Sequence, residues 1–493
     1  MKRLKRRQFL RMVGGLAAGA ALTGCGPSLW PDLEPEFGLW PAPTVGSGWR
    51  LLNRVTFGPR PQERQRLNEI GPAAFLEEQL APDLLPEMAI KPRLKLRRLE
   101  TLRLAAPDLF DVKRDLVMTE LQQASLLRAI YSPRQLYEVM VDFWTDHFSI
   151  DQNKGDCAWL KTVDDREVIR PHALGNFFDL LHASTHSPAM LYYLDNQENH
   201  AGNPNENYAR ELMELHTIGV NGGYSQLDVQ ELARCLTGWT IKNHFHRGRF
   251  SFNPDQHDDR PKVIMGLRIR AGAQQNGGEQ VIEMLATHPA TARFIATKLV
   301  RRFVADDPPA QLVASAARKF EETRGDIRAV LRAILLSPEL LTPRTTTGTA
   351  GHDLPKLKRP LEFVVSALRQ LNAQTDAGAP ILTYLTELGQ PLFQWPTPDG
   401  FPDRVEAWNR SLLTRWRYAL ALVHNSLTGT SLDLGALLAA SNARTETEHL
   451  DELAGLLLGT PLPQAIRAQL LQSHANDEIW AAALLGSPAF QWK

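Results

Sequence analysis

Apolar residues recur every three or four positions through most of the chain from Trp49 onward. This spacing places them on one face of an α-helix, because a helix turns once in about 3.6 residues. Pairs such as Gly58–Pro59 interrupt the pattern and mark helix ends. Strand-like alternation is confined to residues 249–252 and 262–270. The chain is therefore predicted to be mainly α, a multi-helix globular domain with at most a small β hairpin.

Two irregular stretches separate the predicted helices. Residues 337–355 are rich in threonine, proline and glycine and are predicted to form a linker or long loop. Residues 389–403 carry four prolines and three aromatics, which indicates a structured loop on the core or, alternatively, an aromatic-lined ligand surface. The helical pattern itself occupies nine segments: 114–131, 134–148, 160–186, 206–220, 226–239, 279–303, 310–337, 356–372 and 410–427.

The first 25 residues have the pattern of an export signal. Six bases and no acid, with Arg6 and Arg7 adjacent, precede the eleven-residue apolar run Met12–Leu22. That run is too short to cross a bilayer, which needs about 20 apolar residues, but it suits a signal peptide. Residues 1–24 resemble a twin-arginine signal joined to a lipoprotein cleavage box, which predicts Cys25 as the lipidated first residue of the mature chain.

The residues after the leader predict how the mature protein is organised. Residues 25–48 hold five prolines and no helical period, which indicates an extended tether. Residues 49–430 are predicted to form the main helical domain, with a boundary near the 337–355 linker, and residues 431–493 a C-terminal helical segment. The mature protein is thus expected at the periplasmic or outer cell surface, held to a membrane by its acyl chains.

Charge and cysteine content exclude several classes of protein. The chain has 55 bases and 55 acids, but removal of the leader leaves 49 bases against 55 acids. A mildly acidic exported protein is a poor candidate for nucleic-acid binding. Three cysteines cannot form a disulfide framework. Cys157 and Cys235 are interpreted as two buried thiols, with pairing in an oxidising compartment as the alternative.

Histidines concentrate in the middle of the chain, where nine of fourteen fall within residues 147–257. His147 follows Asp146 at a predicted helix end, which suits a metal ligand or a general base. The alternative is an imidazole packed between aromatics at the helix C-terminus, where its positive form is favoured. The other eight are His172, His182, His186, His200, His216, His244, His246 and His257.

An oxygen-rich segment covers residues 195–207. Side-chain oxygens of this density suit a hard divalent cation, calcium or similar. The spacing resembles a calcium loop until its sixth position, where His200 stands in place of glycine. A turn-rich loop ending in a helix N-cap explains the same residues equally well. The predicted metal ligands are Asp195, Asn199, Asn205 and Glu206.

The helix predicted after this loop has two faces. An apolar stripe runs through Tyr208, Leu212 and Ile218, and His216 falls within that arc. The opposite face carries Asn207, Arg210, Glu211 and Glu214. Glu206, Arg210 and Glu214 are spaced to form ordinary i, i+4 ion pairs on a solvated surface. The oxygen-rich loop beside it also allows the same face to line a site, so both interpretations stay open.

Several blocks of sequence together resemble the bacterial family catalogued as domain of unknown function 1800, over about residues 49–430. Members are exported and tend to be encoded beside a sulfatase-like family, so the resemblance implies an envelope role and a sulfatase-like partner without naming a reaction. The blocks are Leu51–Pro59, Phe143–Phe148, Pro204–Gly219, Ala233–Trp239, His288–Phe294, Gly325–Ile327 and Lys358–Val364.

Two functional hypotheses follow. In the first, the protein is an enzyme acting on an envelope or secreted polymer, with a polar cleft around a divalent cation. Glu206 or Glu211 is then the general base, Arg210 neutralises developing negative charge, and His147 lines the cleft. In the second, the protein is a non-catalytic lipoprotein that positions a sulfatase-like partner, and the polar residues are loop caps and surface pairs.

Overall fold

The computed structural model describes residues 46–242, 247–342, 356–409, 411–441, 443–473 and 475–493. Helices dominate these residues, and their strands form three two-stranded antiparallel sheets, so the mainly α prediction is confirmed. The leader, Cys25 and nearly all of the predicted tether lie outside the described residues, as does most of the 337–355 linker. Across the described ranges, none of the helices combines the length and apolarity that a bilayer crossing requires.

The chain forms two compact units. Of the described residues, those within 76–339 and 391–403 form the central unit, and those within 46–75, 340–390 and 404–493 form the terminal unit. The chain first passes from one unit to the other within the helix Pro61–Leu80, which is kinked at Gly71. Pro72 directly after the kink lacks the amide hydrogen that would continue the helical hydrogen bonding.

The terminal unit packs its helices around aromatic residues. Phe363 meets Tyr418 and Phe490 edge-on, with ring centroids 5.8 Å apart in both pairs. Two short strands, Gln374–Thr375 and Thr430–Ser431, pair antiparallel. Its other elements are helices Ser47–Val55, Pro360–Gln370, Ala379–Glu387, Val405–Ala407 (3-10), Leu412–Val423, Leu434–Ala440, Glu446–Leu458, Gln464–Gln472, Asp477–Gly486 and Pro488–Gln491.

The central unit is larger and contains two hairpins and two π-helical turns, Asp165–Ile169 and Leu212–His216. Short 3-10 turns connect several of its elements. The 3-10 turns are Pro82–Leu84, Glu100–Arg103, Asn196–Glu198 and Pro254–Gln256. The α-helices are Ile90–Leu96, Ala106–Leu109, Arg114–Tyr131, Gln135–His147, Cys157–Asp164, Arg170–His172, Phe177–Thr185, Pro188–Tyr193, Glu206–Glu211, Gln226–Cys235, Gln275–Thr287, Pro289–Phe303, Ala310–Glu322 and Ile327–Leu335, with Pro338–Leu341 at the boundary of the unit.

The longest predicted helices are interrupted, because periodicity alone does not show where a helix restarts. The segment predicted over 279–303 breaks at His288, whose Nδ1 accepts from the Ala290 amide and caps the next helix. The segment predicted over 310–337 breaks before Asp326, whose carboxylate accepts from the Ala329 amide. Both caps are side-chain acceptors that satisfy amides which the helix itself leaves unpaired.

The strands of the central unit exceed the single hairpin that the alternation predicts. Phe250–Phe252 pairs with Trp239–Ile241, a segment whose first residue was predicted to be helical. Lys262–Ile264 pairs with Leu267–Ile269 to form a second hairpin. Both segments with predicted alternation, 249–252 and 262–270, contain strands, whereas Trp239–Ile241 has too few alternating positions to be distinguished from the preceding helix.

The irregular 389–403 stretch is a structured loop, and residues 391–403 belong to the central unit. The Gln152 amide donates to the Phe393 carbonyl at 2.8 Å, and the Tyr193 hydroxyl donates to the Pro396 carbonyl at 3.1 Å. A side chain at Gly400 (φ 75°) would place its Cβ 2.0 Å from the Asp146 carbonyl oxygen, so only glycine permits this approach.

His147 lies in the core of the central unit, at the end of the helix Gln135–His147, and only 1% of it is exposed. Rings from Trp144 and Phe148 pack edge-on against it. Its Nδ1 lies 2.9 Å from Lys298 Nζ, and its Nε2 lies 3.1 Å from the His216 carbonyl oxygen. These partners favour the neutral tautomer in which Nδ1 accepts and Nε2 donates.

The alternative of an imidazole packed between aromatics at a helix C-terminus is therefore present, but the positive charge expected with it is wrong. Burial lowers the pKa of His147 well below its ordinary value, and the neighbouring Lys298 lowers it further. Burial also lowers the pKa of His216 to about 3 and that of Lys298 to about 8. A helix C-terminus favours a cation by about 0.3–1 kcal/mol, which is too little to offset full desolvation beside another base.

These two histidines predict acid sensitivity of the central unit. The pKa of each histidine is lower in the folded protein than in the unfolded chain, where it is near 6.5. The free energy of unfolding is therefore highest above pH 6.5 and falls as the pH drops below that value. In that range each histidine lowers the free energy of unfolding by about 1.4 kcal/mol per pH unit. We expect the thermal midpoint of wild type to fall between pH 7.5 and 5.5.

The variant His216→Leu removes one of these titrating groups, and both ring nitrogens of His216 are buried without a hydrogen-bond partner. Its midpoint should fall by about 2 °C less than that of wild type over the same pH interval. The exposed His200 provides the control, because His200→Leu should fall as far as wild type. An equal fall in His216→Leu and wild type would contradict the assignment.

Candidate metal centre

Three side chains of the central unit converge at its surface. Nε2 of His182 lies 3.1 Å from Glu279 Oε2, and Nε2 of His186 lies 3.0 Å from Glu279 Oε1. All three potential ligand atoms lie within 4.8 Å of one another. Within the part of the chain that the structure describes, no other group of three histidine, cysteine or acidic side chains meets this criterion.

The two imidazoles come together because His182 and His186 are four residues apart at the end of the helix Phe177–Thr185. Positions i and i+4 share a helix face, and the rings stack with centroids 4.3 Å apart. Nδ1 of His186 donates to the His182 carbonyl at 2.8 Å. With Nδ1 held by this carbonyl, Nε2 is the ring nitrogen directed toward the carboxylate, the arrangement that orients histidine ligands in metal sites.

The carboxylate of Glu279 belongs to a helix that is distant in sequence, Gln275–Thr287. Gly278, one residue before Glu279, lies so close to Trp239 that a Cβ would stand 2.6 Å from the indole Cζ2. Glycine therefore lets this helix approach the indole closely. The same indole packs against His186, with ring centroids 4.7 Å apart. Trp239 thus contacts both the helix that carries Glu279 and one of the imidazoles.

The oxygen-rich loop supports this arrangement through its amides. Asn196 is fully buried, and its Nδ2 donates to the Trp239 carbonyl at 3.0 Å and to the Leu236 carbonyl at 3.2 Å. Phe250, from the paired strand, packs edge-on against His186 with centroids 4.5 Å apart. The hairpin and the loop therefore hold one side of the histidine pair.

The carboxylate of this cluster is strongly ionised. Burial opposes its charge, but hydrogen bonds from His182, His186 and Gln275 outweigh burial and hold the pKa of Glu279 far below its usual range. The hydrogen bond to Glu279 raises the pKa of His182 above its ordinary value of 6.5. The side chain of His182 is 45% exposed, so solvent screens part of this interaction.

Two imidazoles and a carboxylate are the ligand set of several catalytic zinc sites, which leave a coordination position open. Metal–ligand bonds of about 2.0–2.1 Å in a tetrahedron separate neighbouring ligand atoms by about 3.3 Å. The nitrogen–oxygen distances of 3.0 and 3.1 Å are close to that spacing. The residues present therefore fit a divalent transition-metal ion with access from solvent on the His182 side.

The sequence places His182 and His186 among the clustered histidines without indicating that they act as a pair. Their i, i+4 spacing on a predicted helix was the available signal. Glu279 gives no such signal, because 93 residues separate it from His186 and its approach depends on tertiary packing.

The predicted calcium ligands lie in a loop whose side chains are engaged in hydrogen bonds with the protein itself. Asp195 accepts from Lys154 Nζ at 2.6 Å. Asn199 is 2% exposed, its Oδ1 accepts from the Asn205 amide, and its Nδ2 donates to the Ala233 carbonyl. Asn205 caps the following helix by accepting from the Asn207 amide. The alternative of a turn-rich loop ending in an N-cap is therefore present, while cation binding there stays a prediction.

The predicted catalytic residues have different access to solvent. The side chains of Glu206 and Arg210 are 34% and 36% exposed and form a 3.1 Å ion pair, and Arg210 also pairs with Glu214 at 3.5 Å. Glu211 is half-buried, and its pKa is raised mainly by burial and further by the negative charge of Glu214. His147 is in the core. The helix therefore makes the expected i, i+4 pairs, and its catalytic role stays a prediction.

Both described cysteines, Cys157 and Cys235, are free and buried, so the interpretation as two buried thiols is confirmed. Burial raises the pKa of each thiol far above its ordinary value, and for Cys235 to about 12. A thiol of this kind is protonated at neutral pH and is a poor nucleophile or ligand.

Comparison with known proteins identifies the family. The family model described as "Protein of unknown function (DUF1800)" matches residues 50–492, which includes the C-terminal helices beyond residue 430. Searches of the curated proteins and of the solved structures found no match to this chain. The match covers nearly all of the described residues of both units, and the chain therefore belongs to the DUF1800 family.

Proposed function

We propose that this protein is an exported, lipid-anchored cell-envelope enzyme that uses a divalent metal ion to hydrolyse or modify an envelope or secreted polymer. One observation carries the enzymatic part of the proposal: His182, His186 and Glu279 converge within 4.8 Å with a solvent-accessible edge. The leader and its cysteine box support the export and the anchor.

The residues at this centre have separate roles in binding the ion, positioning the carboxylate and bordering the approach of the substrate. His182, His186 and Glu279 would hold the ion, and Gln275 donates to Glu279 Oε1 at 3.0 Å, which restrains the carboxylate. A bound ion of this class would act as a Lewis acid toward a carbonyl or phosphoryl oxygen. Phe250 is only partly buried and contacts His186, so it borders the position from which a polymer chain would approach.

The metal prediction is tested by loading purified protein with Zn²⁺, removing excess and measuring the zinc content. Wild type should retain about one zinc per chain, and Glu279→Gln and His186→Ala should each bind at least about 100-fold more weakly because one of three ligands is lost. Isothermal titration gives the affinities.

His424→Ala is the matched control. His424 Nδ1 lies 3.1 Å from Glu478, and the His424 side chain is 41% exposed, close to the 45% of His182, but no third ligand completes that pair among the described residues. This variant should keep the zinc content of wild type. Equal zinc retention by wild type and Glu279→Gln would contradict the assignment of the centre.

The catalytic prediction is tested on isolated cell envelopes from a strain that lacks the gene. Zinc-loaded wild type should release soluble envelope fragments, and Glu279→Gln should release at least about 100-fold less, since loss of ligand removes the ion that stabilises the transition state. Fragment release is quantified by chromatography and mass spectrometry. Equal release by zinc-loaded and metal-stripped wild type would refute a metal-dependent reaction while leaving zinc binding intact.

The anchoring prediction concerns Cys25. Cys25→Ser should prevent lipidation, move the protein from the membrane fraction to the soluble fraction, and abolish incorporation of labelled palmitate, because a serine cannot carry the thioether-linked lipid. Cys157→Ser, which changes a buried thiol instead, should remain in the membrane fraction and incorporate label. Equal label in Cys25→Ser and wild type would contradict the anchor.

A further inference from the structure

The central unit contains a second feature that the metal centre does not use, a pocket of about 610 Å³. This volume is in the range of pockets that hold small organic ligands. Its lining is strongly cationic, because six bases and only two acids contribute to it. The bases are Lys95, Arg98, Arg103, Arg128, Arg166 and Arg170, and the acids are Glu100 and Asp165.

Part of this positive charge is neutralised by buried carboxylates. Arg170 Nε lies 2.8 Å from Asp165 Oδ2, and its Nη1 lies 3.1 Å from Glu138 Oε2. Arg128 Nη1 is 3.9 Å from the same oxygen of Asp165. Two arginines thus share two carboxylates, so the buried floor of the pocket is close to neutral.

The charge that remains lies at the rim. Arg166 forms a 2.6 Å ion pair with Glu167, which leaves Lys95, Arg98 and Arg103 opposite the single acid Glu100. All three of these bases are exposed. The pocket therefore presents a net positive rim, which attracts anions and raises their local concentration.

Three buried polar atoms of the pocket lining are without hydrogen bonds, the donor atoms Thr162 Oγ1 and Arg128 Nη1 and one carboxylate oxygen, Asp165 Oδ1. Thr162 lines the pocket, is 2% exposed, and its Oγ1 has no hydrogen-bond partner. Arg128 Nη1 is likewise buried, and although Asp165 is 3.9 Å away, it makes no hydrogen bond. Buried donors are nearly always paired in folded proteins, and leaving one unpaired costs about 1–3 kcal/mol.

We propose that this pocket is a binding site for a tetrahedral oxyanion, the phosphate or sulfate group of an anionic ligand. Thr162 and Arg128 donate to the oxyanion, which satisfies the two orphaned donors of the lining. Arg98 and Arg103 at the rim supply long-range attraction, and arginine is well suited to this task because its planar fork matches phosphate and sulfate oxygens.

The same chemistry occurs in soluble esters and in lipid head groups. Leu96 is 79% exposed and directly follows Lys95 of the rim, so an apolar side chain is available beside the cationic pocket. A head group in the pocket would place this leucine at the lipid interface, whereas a soluble ester would not use it. The experiment therefore includes both kinds of probe.

The test measures the thermal midpoint of the intact protein in increasing inorganic phosphate or sulfate, with chloride at equal ionic strength as the reference. Wild type should be stabilised by the tetrahedral anions beyond the effect of chloride, because a ligand that binds the folded state raises its midpoint. Arg103→Ala should lose at least half of this rise. The neighbouring Arg97, which does not line the pocket, gives the control Arg97→Ala, which should keep it.

Thr162→Val separates binding from folding. Since the hydroxyl has no partner in the protein, its replacement by a methyl group should leave the midpoint without anion unchanged or higher, yet reduce the rise caused by phosphate. An absent phosphate effect in wild type, or equal effects in wild type, Thr162→Val and Arg103→Ala, would overturn the proposal. A loss in Arg97→Ala as large as in Arg103→Ala would overturn it as well, because it would indicate only general surface charge.

Vesicles identify the source of the oxyanion. Cosedimentation with phosphatidylglycerol vesicles but not with phosphatidylcholine vesicles, weakened by Leu96→Ser and by Arg103→Ala, supports a lipid head group as the ligand. Phosphate stabilisation without vesicle binding supports a soluble ester. If phosphate does not stabilise the protein, and if Arg103→Ala and Thr162→Val bind vesicles as well as wild type does, the pocket is not the binding site.

Discussion

The close packing of Trp239 against Gly278 is the contact on which the candidate metal centre depends. It allows the helix Gln275–Thr287 to approach the strand Trp239–Ile241, and the carboxylate of Glu279 then lies opposite two imidazoles. The same indole packs on His186, so one side chain contacts both halves of the cluster. A larger residue at position 278 would separate elements that lie far apart in the sequence.

Histidines in the central unit fall into two electrostatic environments. His147 and His216 are buried among aromatics beside Lys298, and burial holds them neutral. His182 instead lies at the surface beside a carboxylate that raises its pKa. The difference comes from solvent access and partner charge, since the residue type is the same. In the described part of the central unit, the surface pair directs two ring nitrogens at one carboxylate and is reached from solution.

Local sequence information was enough for the fold class and for individual helices. The helix Arg114–Tyr131 has the predicted bounds, and Asn205 caps its helix as its residue type suggests. Sequence patterns did not give the pairing of Trp239–Ile241 with Phe250–Phe252, because three-residue strands have too little alternation. The charge state predicted for His147 was wrong because burial and Lys298 are tertiary features. Glu279 was missed for the same reason, since no local pattern links it to the histidine pair.

The central claim, that a divalent metal ion binds at His182, His186 and Glu279, is tested most directly by crystallography of zinc-loaded protein at the zinc absorption edge. The account predicts a single strong anomalous peak within about 2.0–2.2 Å of both Nε2 atoms and of one oxygen of Glu279. A peak at the Asp195–Glu206 loop instead, or a fully loaded crystal with no peak between the two histidines, would contradict it.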